Sequence, residues 1–203
     1  MNNPRHSLGA PVPGLTRRAF EGSDRAAELI ARILAFIGEE LQPLASQHKL
    51  DYEHGGERSV LEHVWRRSHE LGFYGMTLPE ALGGAGLSVL DHVLIKEAIY
   101  SSGCVLAPHV LGELSGPPRV GALARTVTPD QMQRFILPVA RAEMAICFAI
   151  TEPEAGSDAG ALRTRAELDG DHYVLTGTKQ YISGSPFCDA AVIIASTSND
   201  PQV

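Results

Sequence analysis

The sequence predicts an α+β protein with its two kinds of element segregated: an all-α helical domain first, then an incomplete antiparallel β domain. Three observations carry this. Apolar residues recur at helical spacing through the first two-thirds of the chain. From about residue 144 the pattern changes to short apolar runs bounded by turn residues. No strand–helix–strand alternation of the kind that builds a parallel sheet occurs, and no internal repeat is visible. The expected organisation is a flexible arm over 1–22, a helical domain over 23–143, and the first strands of a β domain over 144–203.

The arm, MNNPRHSLGAPVPGLTRRAFEG, is rich in Pro and Gly, and its Arg5, Arg17 and Arg18 flank no apolar core of a secretory signal. Over 24–47, Ile30, Ile33, Ile37, Leu41 and Leu44 step by three and four, and Ser23 stands at the N-cap position. In 59-SVLEHVWRRSHEL-71, Ser59 and Glu62 have capping-box spacing, with Leu61, Val64, Trp65 and Leu71 on one face. A loop over 75–87 leads to a third helix, opened by Ser88 with Asp91 and ending near Tyr100. Pro108, Pro117 and Pro118 break 104–126 into short helices. Thr128-Pro129-Asp130-Gln131 then provides a hydroxyl cap, a first-turn proline and acid, and a glutamine at the box position, predicting a helix to about Ala142.

Four strands are expected: ICFAI (146–150), RTRAEL (163–168), HYVLTGTKQYIS (172–183) and AAVIIAS (190–196). Asp169-Gly170 marks a hairpin between the second and third. The continuous apolar run of the fourth predicts burial. A buried strand needs neighbours, and an open apolar edge invites aggregation, so the β domain is expected to be cut off partway.

Composition narrows the function classes. Charged residues at 20% and hydrophobic residues at 44% describe an ordinary globular chain. A net charge of −7, without basic clusters interleaved with aromatics, argues against a nucleic-acid partner. No apolar run approaches the ~18 residues of a membrane span. Cys104, Cys147 and Cys188 are odd in number and far apart, which predicts reduced thiols in a cytoplasmic protein. The loop 83-GGAG-86 lacks a preceding buried strand and has Val89 where a third glycine would stand, so it is not a dinucleotide fingerprint. His63 and His69 fall on opposing faces of one helix, with no metal-ligand spacing. No serine lies in a G-x-S-x-G elbow.

The turn 151-TEPEAGSD-158 is different. Ala155 and Gly156 leave room for close backbone approach, successive amides can form an anion-binding nest, and Ser157 adds a donor. Thr151, at a strand end, can hydrogen-bond a planar heterocycle. The plainer alternative is a connection in which Ser157 and Asp158 cap themselves.

The stretch 148-FAITEPEAGSDAG-160 resembles the flavin-binding signature of the acyl-CoA dehydrogenase family. Two further segments resemble that family in the same order, 72-GFYGMTLPEALGGAGLS-88 and 169-DGDHYVLTGTKQYISGS-185, so the resemblance covers roughly residues 24–196. It implies FAD as cofactor and an acyl-CoA as substrate. It places Phe148, Ile150 and Thr151 along the flavin, with Thr151 at its polar edge. Gly156 and Ser157 would meet the pyrophosphate, Ser157 also lying near the acyl-CoA. Tyr181 occupies the place of an aromatic, usually Trp, beside the isoalloxazine, followed by Ile182. Ser183 stands where a Thr usually hydrogen-bonds flavin N5. Both departures change packing: Tyr offers less area, and Ser lacks the methyl that restricts the rotamer.

The implied reaction is α,β-dehydrogenation of an acyl-CoA thioester, in which a carboxylate base takes the α-proton and the β-hydrogen leaves as hydride to the flavin. In the family that base comes from a C-terminal helical domain. No Glu in 1–203 inherits it by motif, so no catalytic residue is assigned and the chain is expected to be inactive alone. An electron-transfer flavoprotein or similar acceptor is the implied partner, and a homo- or hetero-oligomer the implied assembly. Two alternatives stand beside this reading: a non-catalytic flavin-site subunit completed by a separate chain, and a same-fold flavoprotein such as a nitroalkane oxidase-like enzyme or one acting in DNA-damage responses.

Overall fold

The computed structural model describes residues 22–52 and 55–197; the arm expected over 1–22 lies outside them except for Gly22. Helix α1 (Asp24–Phe36) begins where Ser23 accepts a hydrogen bond from the Ala26 amide. It continues through a π turn (Ile37–Leu41) into α2 (Gln42–Gln47). The same sequence of parts recurs later: α6 (Pro129–Gln131), a π turn (Met132–Ile136), then α7 (Leu137–Ala140). In both, a proline, Pro43 or Pro138, stands two residues beyond the π turn. Proline has no amide to donate and its ring crowds the carbonyl four residues back, and a widened turn relieves both without ending the helix.

Helix α3 (Arg58–Glu70) departs from the sequence expectation at its start. Its cap is Glu57, no side chain caps it, and Ser59 is already inside the first turn. Glu62 is engaged elsewhere, accepting from Arg58 Nε at 2.6 Å across one helical turn. Helix α4 (Val89–Ser101) starts as expected, with Ser88 Oγ accepting from the Asp91 amide at 3.1 Å. Asp91 also accepts from the Ser23 amide at 2.8 Å, so one carboxylate ties the starts of α1 and α4 together. Short helical turns at Ala107–His109 and α5 (Pro117–Leu123) fill the proline-broken stretch. The capping box at Thr128 and Gln131 is present in full.

Two apolar clusters result. The larger joins Ile33, Phe36, Ile37, Leu41, Leu61, Val64, Trp65, Phe73, Ile95, Ile99 and Leu106. The smaller joins Leu78, Val120, Ile136 and Val139 to Ile146, with Ala190 and Val192 packed against it. This second cluster is what seats the β part. Strand β1 (Ile146–Ala149) starts where the Ile146 amide donates to Ser115 O at 2.9 Å. Gly116, at φ 116°, is required there, because a Cβ would collide with the Ile146 side chain.

The β part holds two small sheets. Strands β2 (Arg165–Asp169) and β3 (His172–Thr176) form the expected antiparallel hairpin, with Asp169 opposite His172 and Gly170 at φ 63°. Strand β4 (Ala190–Ile193) pairs with β1 in parallel, Ile146 opposite Ala190. Parallel pairing needs a long crossover, and here the hairpin lies within that connection. Past Ile193 the chain bridges from Ser196 to Arg165, where the two sheets meet.

Two strand expectations are corrected. The third strand ends at Thr176 instead of Ser183, because Gly177 turns the chain at φ 156° and the backbone at Tyr181 is left-handed, at φ 55°. The fourth strand is not buried throughout: its residues alternate half-buried and exposed. A parallel strand at the margin of a two-stranded sheet covers only one of its faces, whatever its composition.

Candidate flavin-facing turn

The centre of the 151–158 turn is a carboxylate directed into the protein. Glu152 is 3% exposed, and both of its oxygens are fully engaged. One accepts from the Thr164 amide at 2.9 Å, from the Thr164 hydroxyl, and from Lys179 Nζ at 2.8 Å. The other accepts from the Arg163 amide at 2.6 Å. Burial pushes this carboxyl up, but the Lys179 ammonium, the Thr164 hydroxyl and the two amides outweigh it and hold the group at about 2. Glu152 is therefore an anion across the physiological range.

Lys179 completes the brace. Its side chain is 10% exposed, and Nζ also donates to Ile150 O at 2.9 Å. The next residue continues the contact: the Gln180 amide donates to Thr151 O at 3.0 Å, and Gln180 Nε2 to Glu152 O at 3.3 Å. Within the turn, Glu152 and Ala155 exchange backbone hydrogen bonds of 2.9 and 3.3 Å. Gly177 passes so near Thr164 that a Cβ would collide with it, which keeps the Lys179 segment against the turn. Residues 150–152 and 179–180 are thus stitched together by backbone and by a buried ion pair.

This brace orients the residues singled out in the sequence. Phe148, Ile150 and Thr151 are half-buried along the stitched line, while Gly156 and Ser157 are exposed beyond it. Asp158 caps its own turn, accepting from the Gly160 amide at 3.2 Å, as the plainer alternative expects; Ser157 does not. Among the described residues the Thr151 and Ser157 hydroxyls and the Gly156 and Ser157 amides enter no hydrogen bond. Nothing stands within 4 Å of where a Gly156 Cβ would project. On the other limb Ile182 is half-buried, Ser183 is exposed, and Tyr181 is 88% exposed. The braced turn presents donors and open space on its outer side, which suits an elongated anionic ligand with a planar head. No group of three His, Cys, Asp or Glu that could hold a metal occurs among the described residues. Among them, too, no helix is long and apolar enough to cross a membrane.

Sequence reading did not assign Glu152 or Lys179 a role. Both lie inside segments that carry the resemblance, but their pairing spans 27 residues and neither has a distinguishing local pattern.

Comparison with known proteins finds two matching domain families. Residues 23–143 match the domain family described as "Acyl-CoA dehydrogenase, N-terminal domain", and residues 147–203 match "Acyl-CoA dehydrogenase, middle domain". The mitochondrial short-chain specific acyl-CoA dehydrogenase of Bos taurus is 36% identical over 162 residues, covering 80% of this chain and 37% of that protein. The caffeyl-CoA reductase-Etf complex subunit CarC of Acetobacterium woodii is 36% identical over 130 residues, 63% of this chain and 33% of that one. The crystal structure of an acyl-CoA dehydrogenase complexed with FAD from Bacillus anthracis superposes with a TM-score of 0.66 at 28% identity, covering 89% of this chain and 30% of that chain. The chain spans about two-fifths of the length of the first curated relatives it matches.

Proposed function

The chain belongs to the acyl-CoA dehydrogenase family, and we propose that it supplies one wall of a FAD site in an enzyme that dehydrogenates acyl-CoA thioesters. The observation that carries this is the braced turn: Glu152 and Lys179 hold it from behind while Thr151, Gly156 and Ser157 keep unused donors on the open side. Gly156 and Ser157 amides would receive the pyrophosphate, where two N–H dipoles and a hydroxyl stabilise negative charge. Thr151 would hydrogen-bond the flavin edge, and Tyr181 with Ser183 would border the ring, Ser157 also facing the acyl-CoA. When bound, FAD supplies the two-electron acceptor.

These residues bind and orient; none is placed to take a substrate proton. Glu152 is unsuited to that work, since at about 2 it is too weak a base and its oxygens are already occupied. As the family resemblance implies, the base would be a carboxylate outside residues 1–203, and this stretch alone would be inactive. The electron acceptor would be an electron-transfer flavoprotein or its like, and the working enzyme an oligomer in the cytoplasm.

Titration of the purified chain with FAD, read by flavin fluorescence, tests the site. Weak saturable binding is expected, with no bleaching by acyl-CoA. Gly156→Val, at a position with open space around it, should abolish binding without lowering Tm, because the side chain occupies the approach to the backbone amides. Equal FAD affinity in that variant would remove the turn from the site. Stoichiometric FAD with turnover would overturn the one-wall reading.

A further inference from the structure

Sequence spacing pairs none of the three cysteines, yet folding brings two of them together. Cys147 and Cys188, 41 positions apart, lie with their sulfurs 3.3 Å from each other, and Cys188 Sγ is 3.4 Å from Ser185 O. None of the three cysteines is in a disulfide, and Cys104 is buried separately in the larger helical cluster. The close approach is imposed from both sides. Asp189 donates its amide to Ala145 O at 2.8 Å and accepts the Ala145 amide on Oδ2 at 2.9 Å. Arg58, on α3, donates to Phe187 O at 2.9 Å and to Asp189 Oδ1 at 2.6 Å. The residues flanking Cys188 are thus clamped to the chain entering β1 and to a helix, while Cys147 is held in the β1–β4 ladder.

We propose that Cys147 and Cys188 are a redox modification site that closes to a reversible disulfide under a hydroperoxide. The proposal does not depend on flavin binding. Cys188 is the half-buried partner and Cys147 the buried one, so Cys188 meets the oxidant first. Its thiolate attacks the peroxide's outer oxygen, the O–O bond breaks, and the alcohol or water leaves with a proton, giving a sulfenic acid. The Cys147 sulfur then attacks the Cys188 sulfur, the S–O bond breaks, and water leaves with the remaining proton. The two sulfurs lose two electrons in all and the peroxide gains them. A dithiol reductant reverses the step. The bond ties β1 to the lead-in of β4 and encloses Phe148–Ser157 and Tyr181–Ser183 in one covalent loop.

The test uses the full chain treated with hydrogen peroxide. The titratable thiols under denaturing conditions should fall from three to one, with the intact mass lower by two hydrogens and restored by dithiothreitol. Non-reducing peptide mapping should join the Cys147 peptide to the Cys188 peptide, and Tm should rise by about 5–10 °C through the constraint on the unfolded chain. Cys104→Ser should behave as wild type, and Cys188→Ser should lose the mass change and the Tm shift. In Cys147→Ser a sulfenic acid on Cys188 should be trapped by dimedone; if that variant does not fold, Cys188→Ser decides alone. Persistence of three thiols, or a cross-link that uses Cys104 or joins two chains, overturns the proposal.

Discussion

The helical body and the β part of this chain are held together in different ways. The helices close their own apolar core: Phe73 is 1% exposed, and Ile33, Val64 and Ile95 are fully enclosed. The β2–β3 hairpin encloses almost nothing, with Leu168 65% exposed and Tyr173, Val174 and Leu175 also exposed. Apolar packing seats only β1 and one face of β4; beyond them the β part is held by polar and backbone fixings at particular points: Glu152 with Lys179, Asp189 with Arg58 and Ala145, and the Ser196 bridge. A helix satisfies its backbone internally and needs one covered face, whereas a strand depends on neighbours for both hydrogen bonds and cover. The lesson is that the candidate site lies in the region with the least apolar support, and buried charge replaces packing there.

The contrast breaks most sharply at the core. Phe73→Ala should cost about 3–5 kcal/mol in urea unfolding, through lost transfer energy and a residual cavity. Leu168→Ala on the hairpin should stay within about 0.5 kcal/mol. Equal losses at the two positions would show that the hairpin shares the core's cooperativity.

Next in size is the Glu152 brace. Removing one partner of a buried ion pair costs about 3–5 kcal/mol locally, so Glu152→Gln should loosen the turn and the 177–183 segment. Hydrogen exchange should rise at the Gln180 amide while amides of α1 and α3 keep their protection. Uniform loss of protection would mean that the brace supports the whole molecule.

Acid should separate the two regions by pH. His109, in the helical body, accepts from Trp65 Nε1 at 3.3 Å, and burial lowers it from 6.5 to about 4. Its folded-state value lies below its unfolded one, so its contribution is complete above about 6.5 and declines as pH falls toward 4. Glu152 is lowered from 4.5 to about 2, so its contribution is complete above about 4.5 and is lost as pH falls through 2. Urea midpoints measured against pH should fall in both windows for wild type. His109→Asn should flatten the upper window only, and Glu152→Gln the lower only.

The smallest effect compares two capping positions. Thr128→Ala should cost about 1 kcal/mol, because a complete capping box is lost. Ser59→Ala should be close to neutral, since Ser59 caps nothing. Thermal melts of the two variants side by side measure the difference.

Much of the helical body was legible because its signals are local. Ser23, Ser88 and Thr128 cap as their spacing predicts, since a cap involves residues within one turn. Ser59 shows the limit: the same spacing occurs inside a helix whose start is displaced by two residues, and Glu62 finds Arg58 instead of a cap. The two π turns had a local cause in Pro43 and Pro138, but the sequence pattern there reads equally well as α-helix. In the β part the Asp169-Gly170 turn was readable, while the parallel partner of β1 was not, because β4 lies about forty residues on. The end of β3 also lies outside what the sequence shows: Thr178, Tyr181 and Ile182 are strand-forming residue types, and only the backbone turns at Gly177, close against Thr164, and at Tyr181 end the strand at Thr176.

The chain's order of residues settled the segregation of helix from strand, the caps at Ser23, Ser88 and Thr128, the hairpin, and the donor-rich turn at 151–158, all of which rest on groups within a few residues of one another. Folding in three dimensions decided which way that turn faces. Glu152 reads as an ordinary turn acid until Lys179, Arg163 and Thr164 surround it, and Cys147 and Cys188 read as unrelated thiols until Asp189 and Arg58 draw their segments together. Charge pairing and sulfur contact require a few ångströms of proximity, and separations of 27 and 41 positions give no local sign of it.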